Sequence, residues 1–339
     1  MKKADFSLLL STFLSEYLPN IKNVSSNTIS SYCDTFRLFL TYCRDEHRFS
    51  IEKLSIDDLN PDIIHRFLSW LEIERNCSIS TRNQRLAAIH AFFKYIQAEK
   101  PQSLLLCQKI IDIPSKRKSK PVIKYLTAHE IKIILEQPNT STTSGRRDLV
   151  ILSILYDTGA RVQELVDLSV RDIRLDYPAK VHLTGKGRKS RIVPIMGATS
   201  ELLENYLGEQ RLLDPGKQDY PLFCNQQRRR LTRAGVTYIL KKYAGQAATI
   251  SPQISDKVTP HILRHSKAMH LLEAGVNLIY IRDLLGHVDV STTEVYARAS
   301  TEMKREALEK LSTVKTPNVP SWTADSDLLS WLKNFGKGK

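Results

Sequence analysis

Residues 259–275 read TPHILRHSKAMHLLEAG. Thr259 is placed to cap a helix, Pro260 stands at its first position, where a missing N–H costs nothing, and Gly275 stops it. His261 and Arg264 lie three apart and share a face of the first turns. Free backbone N–H groups at a helix start add partial positive charge, so the two side chains and the helix end together suit an anion. The plainer reading is a basic helix start in a basic protein. His261 and His265 also have the i, i+4 spacing of a zinc pair, but position 262 lacks the Glu of a zinc hydrolase and no acidic cluster stands near. No metal is expected.

Working outward, RRDLVILSILYDTG (146–159) reads as an apolar helix stopped by Gly159, and ARVQELVDLSV (160–170) opens another. Within TGARVQEL, Arg161 precedes Glu164 by one turn. That spacing gives an intrahelical ion pair, or an arginine held by a carboxylate so that its fork can grip a phosphate. KVHLTGKGRKSRIVPI (180–195) alternates about Gly185 and Gly187, which predicts a hairpin with Lys186 at its tip. LTAHEIKIILEQ (126–137) is a short capped helix. LTRAGVTYILKKYA (231–244) is another, with Thr232 as cap, and the run QQRRRLTRAG (226–235) that leads into it carries Arg228, Arg229, Arg230 and Arg233 without an acid. NLIYIRDLLG (277–286) is a helix ended by Gly286, and Tyr280 within it reads as core. GHVDVSTTEVYAR (286–298) then places His287 and Tyr296 in a weakly apolar segment expected to be exposed. A tyrosine there is either packing or chemistry.

The first 113 residues read as helices. Residues 4–18 have helical apolar spacing, and 27–44 set Tyr32, Phe36, Phe39 and Tyr42 on one face. Asn60-Pro61 opens a third helix, and Ser80 opens a fourth, whose first turns carry Arg82, Asn83 and Arg85. That polar end is either a solvated helix start or one pointing into DNA. The chain of 339 residues has net charge +14, unevenly spread: +1 over 1–113, five cations and no acid in 114–125, and +8 over 126–339. A basic protein most often meets a polyanion. The segment PSKRKSKPVIKY (114–125), with Lys116, Arg117, Lys118 and Lys120, should be an extended linker able to wrap one. Five cysteines without a CxxC pair speak against a disulfide framework or a structural zinc site, and the apolar runs are too short to span a bilayer.

Taken in order, TGARVQEL, TGKGRKSR, HILRHS, LLGH and STTEVYA resemble five boxes of the tyrosine recombinase family, of the phage-integrase and Xer type. The resemblance covers 126–300 closely and the helical half more loosely. It implies a mainly α fold shaped as a C-shaped DNA clamp. An all-α, SAM-like core-binding domain would span 1–113, with the basic linker at 114–125. A mixed α/β catalytic domain with a small antiparallel sheet would span 126–312, and a tether and helix 313–339, docking in trans through Leu328, Trp331, Leu332 and Phe335.

The resemblance also implies a chemistry. Tyr296 would attack a DNA phosphodiester, leaving a 3′-phosphotyrosine link and a free 5′-hydroxyl. Arg161 and Arg264 would hold the nonbridging oxygens, and Lys186 would give a proton to the leaving oxygen. His261 would be base or hydrogen-bond partner near the tyrosine hydroxyl, His287 would bond the phosphate, and Glu164 would hold Arg161. Arg82, Asn83, Arg85, Lys116, Arg117, Lys118, Lys120, Arg228, Arg229, Arg230 and Arg233 would contact DNA. No cofactor is expected, neither metal nor ATP, and the chain has no GxxxxGK[ST] loop. The implied partners are double-stranded DNA with paired inverted sites and further copies of the chain, a dimer per site and a tetramer in synapse, in the bacterial cytoplasm at the nucleoid and without membrane contact. A mobile element is the favoured setting. The alternatives are a type IB topoisomerase-like enzyme and a catalytically silent DNA-binding factor. Ala297-Arg298 stands where many members have Thr-His, and Arg228–Arg230 replace a more glycine-rich turn.

Overall fold

A computed structural model of the chain describes residues 4–118, 123–185, 189–254, 257–287, 291–299 and 328–335. The chain divides into two compact units, Met1–Pro121 and Val122–Lys339. In the first, α1 (Phe6–Thr12) runs on into a π-helical stretch, Phe13–Ile21, that contains Pro19, a residue with no N–H to give. Then follow α2 (Ser26–His47), α3 (Pro61–Ile73), α4 (Ile79–Glu99) and α5 (Leu104–Ile111). Their core is aromatic. The Phe92 ring meets Phe6 at 5.5 Å, Phe13 at 5.2 Å and Phe36 at 5.0 Å between centroids. Such pairs add about 1 kcal/mol each beyond the area they bury. Lys100 closes the unit by bonding Asp5 at 2.8 Å and Asp57 at 3.0 Å.

The fourth helix begins two residues earlier than expected, because it is Ser78, not Ser80, whose hydroxyl accepts the N–H of Thr81. Its basic start is not a free DNA-facing end. Arg82 is only 5% exposed and donates to the Pro114 carbonyl. Asn83 bonds the backbone of Lys116 through both its amide atoms, and Arg85 donates to the Ser31 carbonyl and the Thr35 hydroxyl. The reason is local: the chain leaving α5 passes back across the head of α4 and takes up Arg82 and Asn83, while α2 takes up Arg85. Lys116 pairs with Glu72, Lys118 donates to Ser80, and Arg117 is exposed, while Lys120 lies outside the described residues.

The second unit holds α6 (Ala128–Leu135), α7 (Thr143–Thr158), α8 (Val162–Asp167), and a three-stranded antiparallel sheet in the order β1 (Ile173–Arg174), β2 (Lys180–Thr184), β3 (Ser190–Pro194). There follow α9 (Gly197–Glu209), α10 (Arg233–Ile250), α11 (Pro260–Glu273), α12 (Leu278–Leu285), α13 (Ser291–Ala299) and α14 (Leu328–Phe335). The core collects Ile151, Leu152, Ile154 and Leu155 of α7 against Val181, Leu183 and Val193 of the sheet. Strands β2 and β3 pair from Lys180↔Pro194 to Thr184↔Ser190, as the alternating pattern predicts, and the Lys186 tip lies outside the described residues. Before α10, Arg228 takes the left-handed conformation, φ 58°, that a glycine would favour. Asn225 stabilises that turn by accepting from Gln227 and Arg229. Arg228, Arg229 and Arg233 are exposed, whereas Arg230 turns inward to the carbonyls of Val166 and Leu168.

A smaller apolar cluster joins Ala268, Met269 and Leu272 of α11, Ile281 and Leu285 of α12, and Tyr296 of α13. This reverses two expectations. Tyr296 is 2% exposed, although its neighbours in sequence are small and polar, and Tyr280 is 70% exposed. The cause is helical phase: α12 turns Ile281 and Leu285 inward and Tyr280 outward, and α13 buries Thr293 and Tyr296 on one face.

Helix α11 is fixed to the start of the unit by Ser266, which is fully buried. Its hydroxyl accepts the N–H of Leu126 at 2.8 Å and donates to the Ile262 carbonyl. Replacing Ser266 by Ala strands that amide, so the change is expected to lower stability by about 1–3 kcal/mol, read as a fall in the urea midpoint of the full chain at unchanged slope.

Candidate active site

Arg161 is the residue that caps α8, and Glu164 is its partner in a reciprocal arrangement. The carboxylate accepts the Arg161 backbone N–H at 2.8 Å and its Nη1 at 2.7 Å. The second Arg161 nitrogen, Nη2, donates to the Gly286 carbonyl at 3.3 Å. Arg264, 4% exposed on the second turn of α11, donates to the carbonyls of Gly159 and Leu285, each at 2.6 Å. The two guanidiniums therefore hold consecutive carbonyls, those of Leu285 and Gly286, at the C-terminal end of α12. Both glycine corners are needed. Gly159 and Gly286 are left-handed, φ 56° and 64°, and a Cβ on Gly286 would stand 2.8 Å from Arg191.

Arg191 is the member of this cluster that sequence reading missed. From β3 it meets Glu164 with Nη1 at 3.0 Å and Nη2 at 2.8 Å, and its Nε donates to the Leu284 carbonyl at 2.7 Å. A signal for it existed: Arg191 shares the inward face of the strand with buried Val193, and an arginine pointing inward calls for an internal carboxylate. Burial by itself would raise the Glu164 carboxyl, but the hydrogen bonds from Arg191 and Arg161 override it and bring it down to about 2. Arg264 is lowered to about 10 by burial and by Arg161, and so stays charged at neutral pH. One carboxylate against three guanidiniums leaves two positive charges in excess, an environment built for an anion.

Gly286 delivers His287, whose Nδ1 lies 3.0 Å from the Thr293 hydroxyl and whose ring lies parallel to that of Tyr296. Burial, then Arg264 and Arg161, push the His287 imidazole down to about 4, so it is neutral at physiological pH. The Tyr296 oxygen lies 2.8 Å from His265 Nδ1. His261, expected beside that hydroxyl, is instead exposed on the first turn of α11, and the residue four positions on takes its place. Burial raises the Tyr296 phenol more than Arg264 and Arg161 lower it, so it keeps its proton at neutral pH. The structure thus brings together Arg161, Glu164, Arg264, His287 and Tyr296 and adds Arg191 and His265. Lys186 lies outside the described residues, but the base of its hairpin reaches the pocket: a Cβ on Gly185 would stand 2.8 Å from the Glu164 carboxylate.

Comparison with known proteins agrees with this geometry. Residues 124–303 match the phage integrase family, and residues 12–100 match the N-terminal SAM-like domain of phage integrases. The chain is 36% identical over 335 residues to the Sinorhizobium fredii protein y4rC, named for an assumed integrase/recombinase role, covering 98% of this chain and 99% of that one. It is 36% identical over 288 residues to the tyrosine recombinase XerC of Herpetosiphon aurantiacus, covering 84% and 89%. The crystal structure of the XerH site-specific recombinase bound to palindromic difH substrate, a post-cleavage complex, shares the fold with a TM-score of 0.69 at 24% identity, covering 85% of this chain and 81% of that one.

The lowered Glu164 carboxyl is a statement about stability. A folded-state value near 2 against an ordinary 4.5 means that ionised Glu164 stabilises the fold fully above about pH 4.5, and that this contribution is lost as pH falls toward 2. It is on the order of 3 kcal/mol. Glu164→Gln is therefore expected to unfold more easily than wild type at neutral pH, with the difference shrinking below pH 4.5, as measured by urea unfolding across pH.

Proposed function

Because the chain belongs to the phage integrase family of tyrosine recombinases, we propose that Tyr296 is the nucleophile that cuts and rejoins its DNA strands. The supporting observation is that Arg161 and Arg264 donate to the adjacent carbonyls of Gly286 and Leu285, while the phenol of Tyr296 packs beside His287. A phosphodiester carries one negative charge and gathers a second as the attacking oxygen arrives. The two guanidiniums, already oriented, stabilise that charge where it develops. Glu164 and Arg191 hold Arg161 in place.

The Tyr296 oxygen forms the new bond to phosphorus, the bond from phosphorus to the 5′-oxygen breaks, and Lys186 supplies the proton that the leaving oxygen takes. Neutral His287 donates to a nonbridging oxygen, and His261, exposed at the helix start, adds a further contact to the phosphate. The resulting 3′-phosphotyrosine conserves the energy of the broken bond, so a second 5′-hydroxyl restores the backbone without ATP. The named relatives are recombinases, which does not favour the topoisomerase reading.

The substrate is double-stranded DNA with paired inverted sites, bound as a dimer per site and a tetramer in synapse, in the service of a mobile element. Arg117, Arg228, Arg229 and Arg233, all exposed, meet its phosphates. Helix α14 docks on a neighbouring protomer: Leu328, Leu332 and Phe335 are exposed on it, while the Trp331 side chain and residues 313–327 lie outside the described residues. Among the described residues no helix is long and apolar enough to cross a membrane.

The test is a set of nicked duplexes tiled from the DNA that flanks the coding sequence, run on denaturing gels. Wild type is expected to give a covalent protein–DNA band that persists in EDTA, and Tyr296→Phe none. A band that survives in Tyr296→Phe refutes the assignment.

A further inference from the structure

We propose that His265 is the catalytic base, the group that takes the phenolic proton from Tyr296 as the phosphotyrosine bond forms. The proposal rests on the reading of Tyr296 as nucleophile. Among the described residues, His265 is the one whose side chain is seen bonded to the hydroxyl, Nδ1 to oxygen at 2.8 Å. Arg264 and His265 are adjacent on α11 and so point about 100° apart. The first enters the anion pocket and the second meets α13. One helical turn thus serves the phosphate and the nucleophile together.

Three other groups compete for this role. His261 is exposed at the first turn, and its influence reaches the site through His265, whose imidazole it depresses. His287 presents its ring parallel to that of Tyr296, and its Nδ1 is engaged with Thr293. Arg264 has no lone pair to offer. A base in contact is needed, because burial raises the phenol above its ordinary value and keeps it protonated.

His265 is suited to accept. The charged and titratable groups around it are His261 and Arg264 on its own helix, Tyr296 from α13, and His287 from the turn after α12. Burial first, then His261 and Arg264, lower the His265 imidazole, and the Nε2–H tautomer of the neutral ring turns the Nδ1 lone pair to the phenol 2.8 Å away. The proton passes from the Tyr296 oxygen to Nδ1, leaving an imidazolium. The oxygen's electron pair forms the bond to phosphorus, and the pair of the broken bond leaves with the 5′-oxygen, which is protonated by Lys186. On rejoining, the attacking 5′-hydroxyl gives its proton back to Lys186, its oxygen bonds phosphorus as the bond from phosphorus to the phenolic oxygen breaks, and His265 returns its proton to that departing oxygen.

The experiment uses the full chain and single-turnover formation of the covalent complex on a nicked duplex, with either an ordinary scissile phosphate or a 5′-bridging phosphorothiolate. Sulfur leaves without a proton, so the second substrate bypasses the acid but not the base. His265→Asn keeps a hydrogen-bond acceptor near the position of Nδ1 and cannot carry the proton away. It is expected to slow both substrates by roughly 10²–10⁴-fold. Lys186→Ala is expected to recover on the sulfur substrate alone. The wild-type rate should fall in acid as His265 is protonated, whereas the His265→Asn rate should climb steadily with pH, following phenolate.

Replacing Tyr296 with the more acidic 3-fluorotyrosine should speed His265→Asn more than it speeds the protein with His265 intact. This comparison separates a lost base from a disturbed fold. A His265→Asn rate within a few-fold of wild type, an unchanged pH profile, or equal gains from fluorotyrosine in both backgrounds overturns the proposal. If Tyr296→Phe still forms the covalent complex, the nucleophile reading fails first. If Tyr296→Phe is dead while His265→Asn is unimpaired, only the base assignment fails.

Discussion

The Glu164 carboxylate is the point on which the catalytic unit turns. It accepts the backbone and side chain of Arg161 and both terminal nitrogens of Arg191, so its two buried oxygens receive four donors. A buried carboxylate with fewer partners would be too costly to ionise, and two arginines brought together without it would repel. Each charge makes the other tolerable. The carboxylate joins three parts of the chain: the head of α8, strand β3 and, through Arg191, the carbonyl end of α12. His287 and Tyr296 follow that end, so the position of Tyr296 descends from a carboxylate 132 residues before it.

Much of the architecture was legible where the signal is local. Helices with a side-chain cap at one end and a glycine at the other, such as Thr259 to Gly275, were bounded closely, because the hydrogen bonds that fix them lie within a few residues. Helices α5 and α9 went unread, and neither has a capping side-chain bond at its start. The hairpin was legible from its alternation. What its inward arginine would meet was not, since Glu164 lies 27 residues away in sequence.

The same limit governed the site. Arg161, Glu164, Arg264, His287 and Tyr296 could be assembled from the order of short motifs, but their surroundings could not. Tyr296 looked exposed because burial was judged from its own neighbours, while α11 and α12 supply the cover. His265 was weighed only as a metal ligand beside His261, and its contact spans 31 residues. Arg82 and Arg230 looked like DNA contacts because a cation in sequence carries no label saying that a backbone carbonyl awaits it.

The guanidiniums of Arg161 and Arg264 rest against the carbonyl terminus of α12, the negative pole of a helix. That pole is a fixed counter-charge that screens two like cations from each other. Under the proposed chemistry, a phosphate would meet donors whose orientation is already fixed by that pole. The reorganisation energy that a solution reaction would meet at the moment of bond-making has already been met, once, when the chain folded.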